Sequence, residues 1–224
     1  MSKSSYSLLA FMLMPQSPSS RRPSPRKMPR QARSAETVRI IIEAAAHILE
    51  RKGLGDFTTN AVAERAGVSI GSLYQYFPGK EALIAALIVR ETSILLAECE
   101  QSLAAPTGQA ALSGMIEAAV AHQLRRPVLA RLLDIEEARL PFDEDTQRVT
   151  SRLLAILREV LSRGDLPPQP QYDMAAQDVM AIVKGMVDAA GEKGELDRSG
   201  LVRRVSRAVY GYLNSVGQPF PESG

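Results

Sequence analysis

The sequence is poor in side chains that do covalent or metal chemistry. It has one cysteine, two histidines and no tryptophan, and aromatics make up 5% of its 224 residues. The lone Cys99 excludes an internal disulfide and any paired-cysteine metal site, and it suits a reducing cytosol. His47 and His122 are the only imidazoles, and neither a glycine-rich phosphate loop nor a nucleophile elbow accompanies them. A helical enzyme is therefore the weakest functional class, and no cofactor or metal is expected. No apolar run reaches the ~18–20 residues that a membrane span requires, so no membrane partner is expected. Residues 8–14, behind Lys3, resemble a signal-peptide core. Pro15 ends that run and no small-residue cleavage site follows, so the expected location is cytoplasmic. Few aromatics beside abundant alanine and leucine favour closely packed helices over a β-rich fold.

What is present is a charge asymmetry. Residues 1–35 carry seven basic side chains and no acidic one, whereas the remainder has 20 basic against 25 acidic residues. This suggests an anionic partner reached by one end of the molecule. Residues 15–33 are rich in Ser, Pro and Arg without apolar periodicity, so 1–33 is expected to be a disordered basic arm. Two readings of it stand. It contacts phosphates, or it is an artefact of start-site choice and translation begins at Met28.

From Ser34 the pattern changes. Val38, Ile41, Ile42, Ala45, Ile48 and Leu49 recur at helical spacing between a Ser34 N-cap and a Gly53 stop. The pattern predicts further helices over 58–66, 69–77, 80–104, 107–126, 127–140, 146–163, 171–191 and 198–215. Pro78-Gly79, Pro106, Pro141 and the 164–170 stretch mark breaks between them. No strand-length alternation and no internal repeat is found.

Residues 57–77 carry the main functional signal. Two short helices cross steeply only if small residues line their contact and a left-handed residue turns the chain; Ala63 and Gly67 supply these. Val62, Ala66, Val68, Leu73 and Phe77 can form a small core against the first helix, with Thr58 and Ser69 as N-caps. That leaves Ile70, Gly71, Ser72, Gln75, Tyr76 and the Tyr74 hydroxyl on the other side, an uncharged hydrogen-bonding surface suited to a major groove.

Phe57-Thr58-Thr59, Ala63, Ala66-Gly67-Val68-Ser69, Leu73-Tyr74, Tyr76-Phe77 and Lys80-Glu81-Ala82-Leu83 closely resemble the N-terminal domain of the tetracycline-repressor (TetR) family. The resemblance covers residues 35–85 strongly; Gly79 departs from it, standing where such proteins more often carry a polar N-cap. The resemblance implies that Thr58, Thr59 and Asn60 lie against phosphates or a groove edge, and that Ser69, Ile70, Gly71 and Ser72 open the recognition helix. It implies a thymine-methyl contact for Ile70, a phosphate contact for Tyr74, a base-edge contact for Gln75 and a backbone or base contact for Tyr76. Lys80 would bind phosphate at the start of the long helix. The plainer alternatives are that Tyr74 and Tyr76 half-fill the core and that Lys80 is a solvated charge. Residues 36–82 hold five basic against six acidic residues, so affinity must rest on a few placed donors and on two copies of the domain.

The 171–191 segment is apolar nearly all round and so must bury two sides. A second subunit covers the outer side most simply; the alternative is a central helix wholly inside one subunit. The resemblance implies an isologous four-helix dimer, for which Val179, Val183, Met186, Val205, Val209 and Tyr212 are the candidate interface residues. Met115, His122, Leu133, Ile156 and Met180 are candidate walls of an effector pocket, although core packing explains the same residues. His122 reads more simply as a hydrogen-bonded core residue suited to the helix dipole, and the run Asp134, Glu136, Glu137 as a solvated face, with cation recognition the lesser option.

The expected fold class is therefore all-α: an N-terminal three-helix helix-turn-helix domain at 34–79, and a larger helical ligand-binding and dimerisation domain at 80–216. A tail follows at 217–224. The expected function is a ligand-responsive repressor, a homodimer on a palindromic double-stranded operator, released by an unknown small and mostly apolar effector. An effector-independent DNA-binding protein is the alternative. Deleting residues 1–27 is expected to leave the fold intact, because nothing there has a periodic apolar face. If the arm contacts phosphates, truncation lowers affinity for random DNA and flattens its salt dependence; equal slopes would remove the arm from the interface.

Overall fold

The structure, a computed structural model, describes residues 30–137, 139 and 144–215. The expected arm lies outside these residues except for Arg30–Arg33, as do Pro141, Val216 and the 217–224 tail. The chain divides into two units, residues 1–35 and 36–224. Of the first, only residues 30–35 are described, as the opening turns of the first helix. Among the described residues there are nine helices: α1 (Arg30–Lys52), α2 (Thr59–Ala66), α3 (Ile70–Tyr74), α4 (Lys80–Ser102), α5 (Gly108–Arg125), α6 (Pro127–Glu137), α7 (Glu144–Leu161), α8 (Tyr172–Glu192) and α9 (Arg198–Asn214). None is long and apolar enough to cross a membrane, and no cluster of His, Cys, Asp and Glu among them could hold a metal ion.

Two element boundaries differ from the sequence pattern for a clear local reason, and most of the others shift by one to three residues. Helix α1 starts at Arg30, so Ser34 lies inside it instead of capping it. Gln31, Ala32, Arg33 and Ala35 are good helix formers, and no breaker separates them from the apolar stripe. Helix α3 stops at Tyr74 instead of running to Phe77. The Leu73 carbonyl accepts from both Tyr76 N (3.0 Å) and Phe77 N (2.9 Å), so the last turn tightens. That turn swings Phe77 into the core while Gln75 stays exposed.

The described residues pack into two hydrophobic cores. The head core joins Ile41, Ala45 and Leu49 of α1 to Phe57, Val62 and Ala63, to Leu73 and Phe77, and to Leu83, Ile84, Leu87 and Ile88 of α4. Leu129 and Leu133 of α6 also belong to it. The body core is built from Cys99, the α5 stripe Ala111–Leu112, Met115, Ile116 and Val120, and the buried faces of α7, α8 and α9. Its far end is locked by polar contacts. The Asp165 carboxylate accepts from Gly108 N (2.8 Å) and Gln109 N (2.9 Å) at the start of α5. The Arg163 guanidinium donates to the Leu103 and Ala105 carbonyls beyond the end of α4.

Three of the proposed dimer-interface residues require a correction. Val179, Val205 and Val209 have no exposed surface at all within a single chain, because those stripes of α8 and α9 face α5 and α7. Val183 and Met186 are half-buried against the same core, and Tyr212 donates to Asp178 Oδ2 at 2.6 Å. The outward faces carry other residues: Met174, Ala181 and Gly185 on α8, and Arg204, Arg207 and Gly211 on α9. An apolar stripe on such a helix marks its own core first. Val209→Glu is accordingly expected to destabilise the protomer itself by about 3–5 kcal/mol, by burying an unpaired charge. The check is a lower Tm at every protein concentration; clean dissociation into folded monomers would overturn this placement.

Candidate nucleic-acid interface and interior cavity

The α2–turn–α3 unit is set by local chemistry. The Thr58 hydroxyl oxygen accepts from Ala61 N at 3.2 Å and that of Ser69 from Ser72 N at 3.0 Å, capping the two helices. Gly67 between them has φ +67°, the left-handed region where a β-carbon is costly. Its N–H and that of Val68 return to the Glu64 and Ala63 carbonyls, both at 3.1 Å, closing the end of α2. The two helices are also tied at their outer edge, where the Thr59 and Tyr74 hydroxyls lie 3.2 Å apart. Sequence spacing does not reveal that link.

The residues singled out for DNA contact differ in exposure. Thr58, Asn60, Ser69, Gly71, Gln75 and Lys80 are exposed, and so are Ile70 and Tyr74 at 38% and 49%. Thr59, Ser72 and Tyr76 are half-buried, and the Tyr76 ring packs against the head core. A surface of hydroxyls, two amides and one exposed isoleucine, flanked by Lys80, can read base edges and hold phosphates with few charges. Gly79 starts α4 in extended backbone with no side-chain cap, which leaves the first-turn N–H groups of α4 without a side-chain acceptor from that position.

The body contains a partly open cavity of about 290 Å³, bounded by α4, α5, α6, α7 and α8. Of the expected wall residues, Met115, His122, Leu133 and Met180 do line it, as does Val183. Ile156 does not. It is fully buried in the body core, and α7 faces the cavity with Thr150, Leu153 and Leu157. The sequence reading also missed the α4 wall of Ile88, Glu91, Thr92, Leu95 and Cys99. Burial pushes the Cys99 thiol up to about 12, with Glu98 adding to the effect.

Two readings of polar residues are corrected by this geometry. His122 Nδ1 is buried with no hydrogen-bond partner, and burial lowers the pKa of the ring, so it is neither a hydrogen-bonded core histidine nor a dipole cation. The run Asp134, Glu136, Glu137 is not a solvated face. Asp134 and Glu137 line the cavity, and Glu136 pairs with Arg139 at 3.3 Å. Gln123 is buried beside Gly191, at which a β-carbon would come within 2.4 Å of Gln123 Nε2. From that slot the amide donates to Asp134 Oδ2 at 3.0 Å.

A charged lattice joins the cavity to the head. Arg126, a wall residue, donates to both carboxylate oxygens of Glu50 on α1 at 2.8 and 2.5 Å, and lies 3.5 Å from Glu43. That guanidinium holds the Glu50 carboxyl below its ordinary range. Arg90 pairs with Glu43 at 2.7 Å and with Glu91, itself a wall residue.

A helix-turn-helix head joined to a hollow helical body defines a DNA-binding transcriptional regulator, and the comparisons agree. Residues 41–87 match the family model described as bacterial regulatory proteins, tetR family, and residues 109–213 match the tetracyclin repressor-like C-terminal domain. The chain belongs to the tetR family. It is 30% identical over 200 residues to the A-factor receptor protein of Streptomyces griseus, covering 86% of this chain and 68% of that protein. It is 26% identical over 163 residues to the HTH-type transcriptional regulator SrpR of Pseudomonas putida, covering 70% and 74%. The fold is similar to that of the transcriptional regulator FadR from Bacillus subtilis, solved in complex with stearoyl-CoA. The TM-score is 0.65 at 19% identity, covering 77% of this chain and 97% of that one.

Lys80 has no ion-pair partner among the described residues and sits at the mouth of the head. Lys80→Ala is expected to flatten the slope of log affinity against log salt by ~1, the loss of one phosphate contact per site, with helical content unchanged. An unchanged slope would remove Lys80 from the interface.

Proposed function

We propose that the chain is a cytoplasmic, ligand-responsive repressor that holds an inverted-repeat operator as a homodimer. It releases the operator when a small, mostly apolar molecule fills the body cavity. The observation that carries this reading is that cavity and head share walls. Ile88, Leu129 and Leu133 line the cavity and are members of the head core. Arg126 lines it while gripping α1 through Glu50. A molecule that moves these side chains disturbs the packing on which the recognition unit rests. That a protein of similar fold, FadR of Bacillus subtilis, was solved in complex with stearoyl-CoA supports a ligand-responsive reading.

Dimerisation enters through geometry. Two recognition units must sit ~34–36 Å apart to meet successive major grooves. We assign the partner contact to the outward faces of α8 and α9, where Ala181, Gly185 and Gly211 let backbones approach closely. An effector that prefers the spread form by ~1–3 kcal/mol would weaken operator binding ~5–150-fold. Thr58, Thr59, Asn60, Ser69, Ile70, Gly71, Ser72, Tyr74, Gln75, Tyr76 and Lys80 are the contacts we assign to DNA.

The test is to screen apolar molecules for a rise in Tm and to measure operator affinity with each hit, in wild type and in Arg126→Gln. Hits are expected to weaken wild-type operator binding within that range. In the variant they should still bind, with a smaller effect on DNA. Ligands that stabilise the protein while leaving operator affinity unchanged would favour an effector-independent regulator, and a wild-type monomer at micromolar concentration would rule the dimer out.

A further inference from the structure

The charges in the cavity wall indicate which molecules it accepts; this inference rests on the cavity being the effector site. Six charged side chains reach the wall: Glu91, Arg126, Asp134, Glu137, Lys184 and Asp188. At the end nearest α1 the charges are matched, since Arg126 is held by Glu50 and Glu91 by Arg90. Around Lys184 they are not. Asp134 and Glu137 from α6 and Asp188 from α8 share a single cation, Lys184, whose Nζ lies 2.9 Å from Glu137 and 3.1 Å from Asp188. Asp134 takes its hydrogen bond from the Gln123 amide and feels Lys184 only through its charge. Three carboxylates against one ammonium leave a surplus of negative charge in a half-buried wall.

The titration behaviour agrees with this imbalance. Burial pushes the Asp134 carboxyl up to about 6, and it raises Asp188 even against the pull of Lys184. Desolvation penalises the charged carboxylate, and an ammonium group placed beside it would offset that penalty. The remainder of the wall is apolar, with Leu112, Met115, Leu153, Met180 and Val183 facing inward. Size sets a second limit. At about 290 Å³ the cavity is roughly twice the ~150 Å³ apolar hole that admits benzene, which suits a skeleton of roughly a dozen heavy atoms.

We propose that the cavity binds a monocationic, mostly apolar amine, with its ammonium group against Asp134 and its apolar body over the Met115–Met180 wall. An anion meets the opposite situation: the negative surplus repels it, and the nearest guanidinium, Arg126, is already taken by Glu50 and Glu43. A neutral molecule of the same shape gains the apolar contacts without the charge.

Three probes of one skeleton test this with the full-length protein at pH 7.5: 4-phenylbutylamine, 4-phenylbutanol and 4-phenylbutyrate, each measured by calorimetric titration. The amine is expected to bind at least ~10-fold tighter than the alcohol, and the acid weakest, consistent with roughly one charge pair gained. In Asp134→Asn the amine should fall to the level of the alcohol, whose affinity stays within about twofold. Lowering the pH to 5.5 gives a second readout that needs no variant. The groups facing Asp134 are Glu137 on its own helix, Lys184 and Asp188 on α8, and the Gln123 amide on α5. As Asp134 protonates below about 6, amine binding weakens and alcohol binding does not. Equal or tighter binding of the alcohol or the acid overturns the charge assignment and leaves the cavity reading standing. An amine preference that survives both Asp134→Asn and the drop in pH overturns the role of Asp134. Failure of all three probes to bind overturns both the charge assignment and the cavity reading.

Discussion

Helix α4 is a member of two hydrophobic cores, and the arrangement of the chain follows from that. Its first turns place Leu83, Ile84, Leu87 and Ile88 under the recognition unit. Two turns further on, Leu95, Leu96 and Cys99 pack into the body. No glycine or proline interrupts the helix between Lys80 and Ser102, so it has no built-in hinge. The direction in which α3 points is thus tied to the packing around α5 and α7. Helix α6 adds a second tie: its Leu129 and Leu133 are counted in the head core although the helix lies in the body sequence. Two rigid elements crossing one boundary make the head and the body a single mechanical unit.

The helix-turn-helix was legible because a steep corner needs particular residues. Gly67 at φ +67°, the hydroxyl caps Thr58 and Ser69, and the small Ala63 each answer a requirement that few other side chains meet. Its outward surface then followed by subtraction. The body was legible only as helices. A segment such as α8, apolar on most of its circumference, satisfies the periodicity of several faces at once. Val179 inside and Met174 outside therefore look alike in sequence, though the first is fully buried and the second 51% exposed. Ile156 and Leu153 pose the same ambiguity on α7. The difference of one position around the helix decides between core and cavity, and it depends on partners more than twenty residues away.

The electrostatic lattice was illegible for a related reason. Arg126 and Glu50 are 76 positions apart, and a basic residue at the end of a helix already has a sufficient local explanation in the helix dipole. The same local reasoning made Asp134 and Glu137 look like a solvent-facing run. Their helix in fact turns that edge toward α8, where Lys184 stands between Glu137 and Asp188. The head meanwhile has almost no net charge of its own, so its hold on DNA cannot rest on charge alone.

Cys99 sits in the cavity wall with its thiol pushed up to about 12. Thiolate, the nucleophilic form, then amounts at neutral pH to on the order of one molecule in 10⁵. A bacterium meets quinones, aldehydes and peroxides that capture more acidic thiols irreversibly. With so little thiolate, Cys99 itself is a poor target for such reagents, although it faces the cavity. A molecule that enters the cavity is then not fixed covalently at this thiol, and Cys99 keeps no record of its passage.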